Sequence, residues 1–169
     1  MKISTRGRYA LRLMLDLALC PAETPVCLRD IARRQEISEK YLEQIISILN
    51  KAGFVQSIRG AQGGYLLKKE PSEYTVGEIL RLTEGDLSLV DCVGEEAGGC
   101  GRKPECVTAR IWERISEAVN QVVDGITLAD MVKWHIEMAF GQRREENTGQ
   151  NLKFRGVQGG EPENASDRF

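Results

Sequence analysis

Residues 38–65 read SEKYLEQIISILNKAGFVQSIRGAQGGY, and this stretch decides the fold. Ser38 is placed to cap a helix, its hydroxyl accepting from an orphan amide of the first turn. Leu42, Ile45, Ile46, Leu49 and Ala52 follow at helical spacing and predict one buried face, with Gly53 as the stop. The opposite face carries Glu39, Lys40, Glu43, Gln44 and Ser47, side chains able to hydrogen-bond base edges or phosphates in a major groove. A charged helix face is also the ordinary solvated surface of a soluble protein, so the choice rests on what flanks it.

After Gly53 the pattern changes period. Phe54-Val55-Gln56-Ser57-Ile58 alternates, Arg59-Gly60-Ala61-Gln62-Gly63-Gly64 is turn-like, and Tyr65-Leu66-Leu67-Lys68 is extended again. Glycines at 60, 63 and 64 exceed what a purely structural hairpin needs; they allow positive φ and close approach to another surface, with Arg59 and Gln62 at a tip that can enter a minor groove. Upstream, Leu28 to Arg34 predicts a short helix buried through Leu28, Ile31 and Ala32, and Gln35-Glu36-Ile37 a tight turn. Helix, turn, helix and glycine-rich hairpin together predict a winged helix-turn-helix: a mainly α fold with a small β-hairpin wing. Its candidate DNA-binding residues are Arg8, Ser38, Lys40, Tyr41, Glu43, Gln44, Arg59, Gly60 and Gln62, and its expected partner a double-stranded DNA operator.

Charge is distributed to match. The 169-residue chain has a net charge of -2, yet residues 1–69 hold 12 Lys/Arg against 6 Asp/Glu, whereas residues 70–169 hold 11 against 19. The half that reads as a DNA reader is the basic half, which gives it an attraction for polyanions that the overall balance hides. Arg6, Arg8 and Arg12 gather near the start of a first helix capped by Ser4 or Thr5 and running to about Leu19, with Tyr9, Leu13, Met14, Leu17 and Ala18 as its apolar stripe. No apolar run approaches the ~20 residues that span a bilayer, and the N-terminus lacks a signal-peptide core, so no membrane role and a cytoplasmic location are expected. No catalytic constellation is present, and enzyme activity is not expected.

Beyond the wing, Thr75-Val76-Gly77-Glu78 has the form of a capping box opening a helix that ends near Gly85. Residues 1–85 therefore form the predicted DNA-binding domain and 86–106 a cysteine-rich loop. Residues 107–140 hold a long helix, ended by Gly125, and a second helix from Leu128 to about Phe140; residues 141–169 are expected as a disordered tail. On the long helix Val107, Ile111, Ile115, Ala118 and Val122 share one face, widened by Trp112, Val119 and Val123. So broad a stripe calls for a partner, and a second copy of the same helix makes a homodimer suited to two half-sites.

Five cysteines in such a chain do not suggest a disulfide framework. Cys20 and Cys27 flank a Pro-containing loop and read as ordinary buried or semi-buried thiols. Cys92, Cys100 and Cys106 lie in a loop rich in glycine, where three thiolates can converge on one inorganic centre. Their spacing is not that of paired Cys-x-x-Cys turns, and taken alone it is compatible with an iron-sulfur cluster, a zinc ion or three free thiols.

The chain resembles the bacterial winged-helix regulators of the IscR, CymR and NsrR type over about residues 1 to 135. The likeness lies in the opening Met-Lys-Ile-Ser-Thr-Arg-Gly-Arg-Tyr-Ala, Tyr41-Leu42-Glu43-Gln44, Arg59-Gly60 with Gly63-Gly64-Tyr65, the three cysteines, and Gly125-Ile126-Thr127-Leu128. The resemblance implies a dimer joined by the long helix, with Glu43 and Arg59 as leading DNA contacts. It also implies Cys92, Cys100 and Cys106 as ligands of an iron-sulfur cluster whose state changes DNA affinity. Two departures stand out: Ala109 occupies the position where IscR-like proteins can have a histidine ligand, and Arg8 the one where NsrR-like proteins have an acidic ligand. Asp91, Glu95, Glu96, Glu105, an exogenous thiol or a group from a second subunit are left for the fourth position. The opening segment and wing follow the IscR pattern, and with it a 2Fe-2S cluster. CymR-like relatives lack the cysteines and sense through a protein partner, so one rival is a cluster-free regulator of this fold; another is a small cluster carrier.

Overall fold

The computed structural model describes residues 3–93 and 100–154. The order is α1 (Thr5–Ala18), α2 (Leu28–Gln35), α3 (Glu39–Lys51), β1 (Val55–Ile58), β2 (Gly64–Leu67), α4 (Val76–Glu84), α5 (Val107–Asp124) and α6 (Leu128–Phe154). These six helices and one antiparallel hairpin have the predicted mainly α, winged helix-turn-helix form. The chain divides into two units, Met1–Val132 and Lys133–Phe169. The core lies in the first.

Local chemistry sets most boundaries. The Ser4 hydroxyl accepts from the amides of Arg6 and Gly7, and the Ser38 hydroxyl from that of Tyr41. Thr75 and Glu78 form a reciprocal capping box at the start of α4. Each cap satisfies amides that have no partner inside the helix. From α1, Ala10, Leu13, Met14 and Leu17 enter the core, a spacing that keeps them on one face; α3 supplies Leu42, Ile45, Ile46 and Leu49. At roughly 1.5–3 kcal/mol for each fully buried large apolar side chain, this shared core dominates the favourable side of folding.

In the hairpin Val55 pairs with Leu67 and Ile58 with Gly64. Val26 adds a short third edge, exchanging backbone hydrogen bonds of 3.0 and 2.9 Å with Tyr65. That edge explains Gly64: a Cβ there would stand 2.4 Å from the Val26 carbonyl oxygen. Gly63 has a similar reason, since its Cβ would lie 2.3 Å from the Ile58 carbonyl, whereas Gly60, with φ of +122°, is the one of the three that needs a conformation closed to ordinary L residues.

Three expectations differ from the structure. Ala52 is exposed, because α3 has already ended at Lys51 and Ala52 serves as its C-cap. Cys27 is exposed as well, sitting at the N-cap of α2. α6 runs past Phe140 to Phe154 where a disordered tail was expected from Gly141; Gln142-Arg143-Arg144-Glu145-Glu146 are good helix formers, and Gly141 and Gly149 cost a helix only about 1 kcal/mol each. Residues 155–169 of that tail lie outside the described residues.

Tyr74, which the sequence offers as a mere connector, fixes the base of the wing. Its buried hydroxyl accepts from the amides of Lys68 and Lys69 at 3.0 and 2.8 Å and donates to the Phe54 carbonyl at 2.8 Å. Burial pushes its ionisation above the ordinary range, so it remains a donor at all working pH values. Tyr74→Phe should cost about 1–3 kcal/mol, because it takes the partner from the Lys69 amide and leaves the Lys68 amide and the Phe54 carbonyl only their 3.2 Å bond to each other. Urea unfolding is the check, with a lowered midpoint and an unchanged slope expected.

Candidate nucleic-acid interface and cysteine loop

The helix-turn-helix is built around one left-handed residue. Glu36 has φ of 55°, the only non-glycine residue with positive φ among the described residues, and the Ile37 amide reaches back to the Ala32 carbonyl at 3.1 Å. The turn buries Ile37 and leaves Ser38 exposed at the start of α3. A polar network holds it from α1. Asp16, its side chain 5% exposed, receives two hydrogen bonds from the Arg34 guanidinium (2.5 and 3.1 Å) and one from the Gln35 amide (2.8 Å). Arg12 bonds both the side-chain oxygen and the backbone carbonyl of Gln35. Asp16 keeps Arg34 charged by raising its ionisation further.

Along α3, Lys40, Glu43, Gln44 and Ser47 are exposed and form the predicted polar face. Tyr41 is half-buried, its ring edge-on to Tyr9 of α1 at 5.7 Å, and the Arg12 guanidinium lies 5.5 Å from the Tyr9 ring centre. This aromatic contact brings the basic start of α1 beside the start of α3. The Ser38 hydroxyl accepts from the Tyr41 amide at 3.3 Å, which leaves its own O–H free to donate to a ligand. Arg8 is exposed and folds back, its guanidinium donating to the Ser4 carbonyl and the Thr5 hydroxyl. At the wing tip Arg59, Gly60 and Gln62 are exposed. The geometry is that of one helix face and one glycine-rich tip offered to a ligand by a rigid base.

The cysteine loop leaves the domain at Gly85. Cys92 is half-buried in a turn, Cys100 exposed, and Cys106 half-buried at the N-cap of α5, with a short 3-10 turn over Lys103–Glu105 between the last two. The Cys106 sulfur lies 3.1 Å from the Thr108 hydroxyl, and that contact with the amides of Ala109 and Thr108 holds the thiol below its ordinary range. Cys20, away from this loop, is pushed up by burial. Ala109 is buried on α5 and offers no donor atom. His135 is exposed in the early turns of α6. Glu95 and Glu96 lie outside the described residues. Three soft sulfurs, one of them favoured as thiolate, are a donor set that fits an iron-sulfur centre. Among the described residues no group of three or more His, Cys, Asp or Glu side chains is gathered for a metal ion.

α5 is tied to the domain near its C-terminal end. Arg81 of α4 forms a double hydrogen bond with Asp124 (2.7 and 2.8 Å) and another with Asn120, holding the Asp124 carboxyl below its usual range. Gly77 makes room, since a Cβ there would meet Asp124 at 1.9 Å. The apolar stripe of α5 divides accordingly. Trp112, Val119 and Val123 are half-buried, whereas Val107 is 76% and Val122 61% exposed, with Ile111, Ile115 and Ala118 exposed between them.

Fold and site together define a winged-helix transcription regulator, the class of protein that offers a helix and a wing to duplex DNA. The chain belongs to the Rrf2 family, described as an iron-dependent transcriptional regulator, whose pattern matches residues 3–134. It is 44% identical over 134 residues to the HTH-type transcriptional regulator CymR of Bacillus subtilis, covering 79% of this chain and 91% of that one. Against the HTH-type transcriptional regulator IscR of Serratia proteamaculans it is 40% identical over 148 residues, 88% of this chain and 89% of the relative. Among solved structures, the global cysteine regulator CymR of B. subtilis superposes with a TM-score of 0.66 at 44% identity, over 79% of this chain and 98% of that one. T. potens IscR superposes at 0.64 and 46%, over 79% and 87%. Among the described residues no helix is long and apolar enough to cross a membrane.

The sequence missed Asp16, Arg34, Gln35 and Arg12 as a positioning set. An aspartate three residues after Leu13, on the inner side of a helix, was the available signal. Asp16→Ala should cost about 1.5–3 kcal/mol by removing the hydrogen bonds that hold Gln35 and the turn, the 43% exposed Arg34 being able to turn to water, whereas Asp30→Ala, which breaks an exposed pair with Arg33, should cost less than about 0.5 kcal/mol. Thermal melts of the two variants side by side check this contrast.

Proposed function

We propose that the chain is a homodimeric, sequence-specific transcription regulator whose DNA affinity is set by an iron-sulfur cluster, probed by Cys92, Cys100 and Cys106 as ligands and 2Fe-2S in type. The observation that carries this reading is the position of the three cysteines. They occupy the one segment that joins the DNA-binding domain to α5, and the last of them is the N-cap of α5 itself. When bound, such a cluster supplies a centre sensitive to iron supply, oxidants and nitric oxide.

The rest follows from the chain's own residues. Glu43, with Lys40 and Gln44, reads the major groove from α3, and Arg59 with Gln62 enters the minor groove from the wing. Val107, Ile111, Ile115, Ala118 and Val122 meet the same seam of a second copy, and the two recognition helices then address half-sites about 34 Å apart or a multiple of it. A state in which the three thiols are held together orders the loop, and α5 conveys that order to the spacing of the two reading heads. A tenfold change in affinity needs only about 1.4 kcal/mol of such coupling. Neither Ala109 nor Arg8 supplies the fourth ligand: the first has no donor atom and the second is a cation. Asp91 and Glu105 of the same loop are the nearest candidates in sequence, beside an exogenous thiol or a group of the second subunit.

The similarity to CymR supports a second reading, in which a protein partner controls the dimer and the cysteines are idle. The two readings separate on variants. Arg59→Ala should weaken binding to a cognate duplex roughly 10–100-fold in both the iron-loaded and the cluster-free form. Cys106→Ala should remove the difference between the forms and leave binding by the cluster-free form intact. A Cys106→Ala chain that retains state-dependent binding contradicts the cluster reading and favours partner control. Ile115→Glu should yield a monomer by sedimentation at micromolar concentration, with operator affinity lost alongside.

A further inference from the structure

The Glu84 carboxylate sits on the amino end of α1. One oxygen accepts from the Gly7 amide at 2.7 Å and from the Ser4 hydroxyl; the other accepts from the Ser4 amide at 3.1 Å. Beside it the Arg6 guanidinium donates to the Thr83 carbonyl at 3.5 Å. The first amides of a helix lack intrahelical partners and form the positive end of its dipole, so a carboxylate there is doubly favoured. Burial works against the charged form, but the hydrogen bonds from Ser4 and Gly7, with Arg6 nearby, outweigh it and hold the carboxyl below its usual range. Gly7 is shaped to this contact, since a Cβ there would lie 2.6 Å from the carboxylate oxygen.

What lies on either side of Glu84 gives the contact a direction. Glu84 is the last residue of α4, and Gly85 follows at φ of 84° and ψ of -147°, a conformation that ordinary L residues avoid. Asp86 then opens the cysteine loop, accepting from the amide and hydroxyl of Ser88, and Leu87 is buried with Val76 and Leu80. Ile3, just ahead of α1, packs on that same small cluster. On the far side of the Ser4 cap, Arg8 is steadied by the Ser4 carbonyl at 3.4 Å and the Thr5 hydroxyl at 3.2 Å.

We infer that Glu84 is a positioning residue that couples the cysteine loop to Arg8 on the DNA-facing start of α1, an inference that rests on the regulator reading above. A loop held by its three thiols keeps Leu87 in its cluster and Glu84 on the Ser4–Gly7 cap. A released loop draws on Gly85, the cap loosens, and Arg8 loses the two oxygens that aim its guanidinium. Arg8 is thereby set by the sensor loop of its own chain, independently of any movement of α5.

The test uses the full-length chain and a duplex selected from a randomised pool on the wild-type protein. Wild type, Glu84→Ala, Glu84→Gln, Gly7→Ala, Arg8→Ala and the Glu84→Ala/Arg8→Ala pair are each assayed cluster-free and after anoxic loading with iron and sulfide. Iron content and melting curves confirm that each variant is folded and loaded. A wild-type affinity ratio between states of about tenfold should fall to about threefold in Glu84→Ala, the remainder being what α5 conveys, with Glu84→Gln between, and Arg8→Ala should add no further loss to Glu84→Ala. Gly7→Ala, which displaces the carboxylate from the other side, should match Glu84→Ala. A Glu84→Ala chain with the wild-type ratio overturns the inference, as do independent losses from Glu84 and Arg8. If wild type binds equally in both states, cluster control itself fails; the Arg8 pair then decides the coupling alone, non-additive losses keeping it and additive losses ending it.

Discussion

The apolar face of α1 is the constraint on which the rest of the structure depends. Ala10, Leu13, Met14 and Leu17 are buried along it, and α2, α3, α4 and β2 all pack against this one helix. Each of those elements is short, and none has enough apolar surface to be stable alone, so their positions are defined by what they bury on α1. The polar contacts then choose among the packings that burial permits. Asp16 pins α2 and the turn before α3, and Glu84 pins the end of α4 to the start of α1.

That arrangement ties α1, α3 and the hairpin firmly to one another. The edge-on contact of Tyr9 with Tyr41 fixes α1 to α3, and the Tyr74 hydroxyl ties the base of the wing to the chain that leads into α4. Residues Tyr74 and Val76 also exchange backbone hydrogen bonds with the Ile126–Leu128 segment, so the connection from α5 to α6 is anchored at the same point. With Arg81 holding Asp124, α5 is fixed to the domain at its C-terminal end, while its N-terminal cap is a cysteine of the loop. A helix anchored at one end and capped by a candidate ligand at the other is suited to the proposed switch.

Much of this was legible in the sequence wherever the decisive physics is local. Ser4, Ser38 and Thr75 cap the helices that their spacing from the apolar runs predicts, and Gly53, Gly85 and Gly125 close helices within a residue or two of expectation. The exposed face of α3 and the wing tip are also where alternation and helical period put them. What escaped depends on partners distant in the chain. Glu84 reads as the end of an amphipathic helix until Ser4 and Gly7, about eighty residues earlier, are seen around it. Gly64 reads as a flexible turn residue until Val26 is found against it, and Tyr74 as a connector until three backbone groups converge on its hydroxyl. The extent of α6 was missed for a different reason: a polar, glycine-containing run was read as disorder although its charged residues favour a helix.

Iron and acid-labile sulfide counted per chain in protein purified without oxygen, with a visible absorption spectrum of the same sample, decide whether the three loop cysteines hold the proposed iron-sulfur cluster. A coloured protein with about two irons and two sulfides per chain, both lost together in Cys92→Ala, is the expected result. A colourless chain that takes up neither iron nor sulfide on attempted anoxic reconstitution would contradict it, leaving a winged-helix regulator that takes its signal from elsewhere.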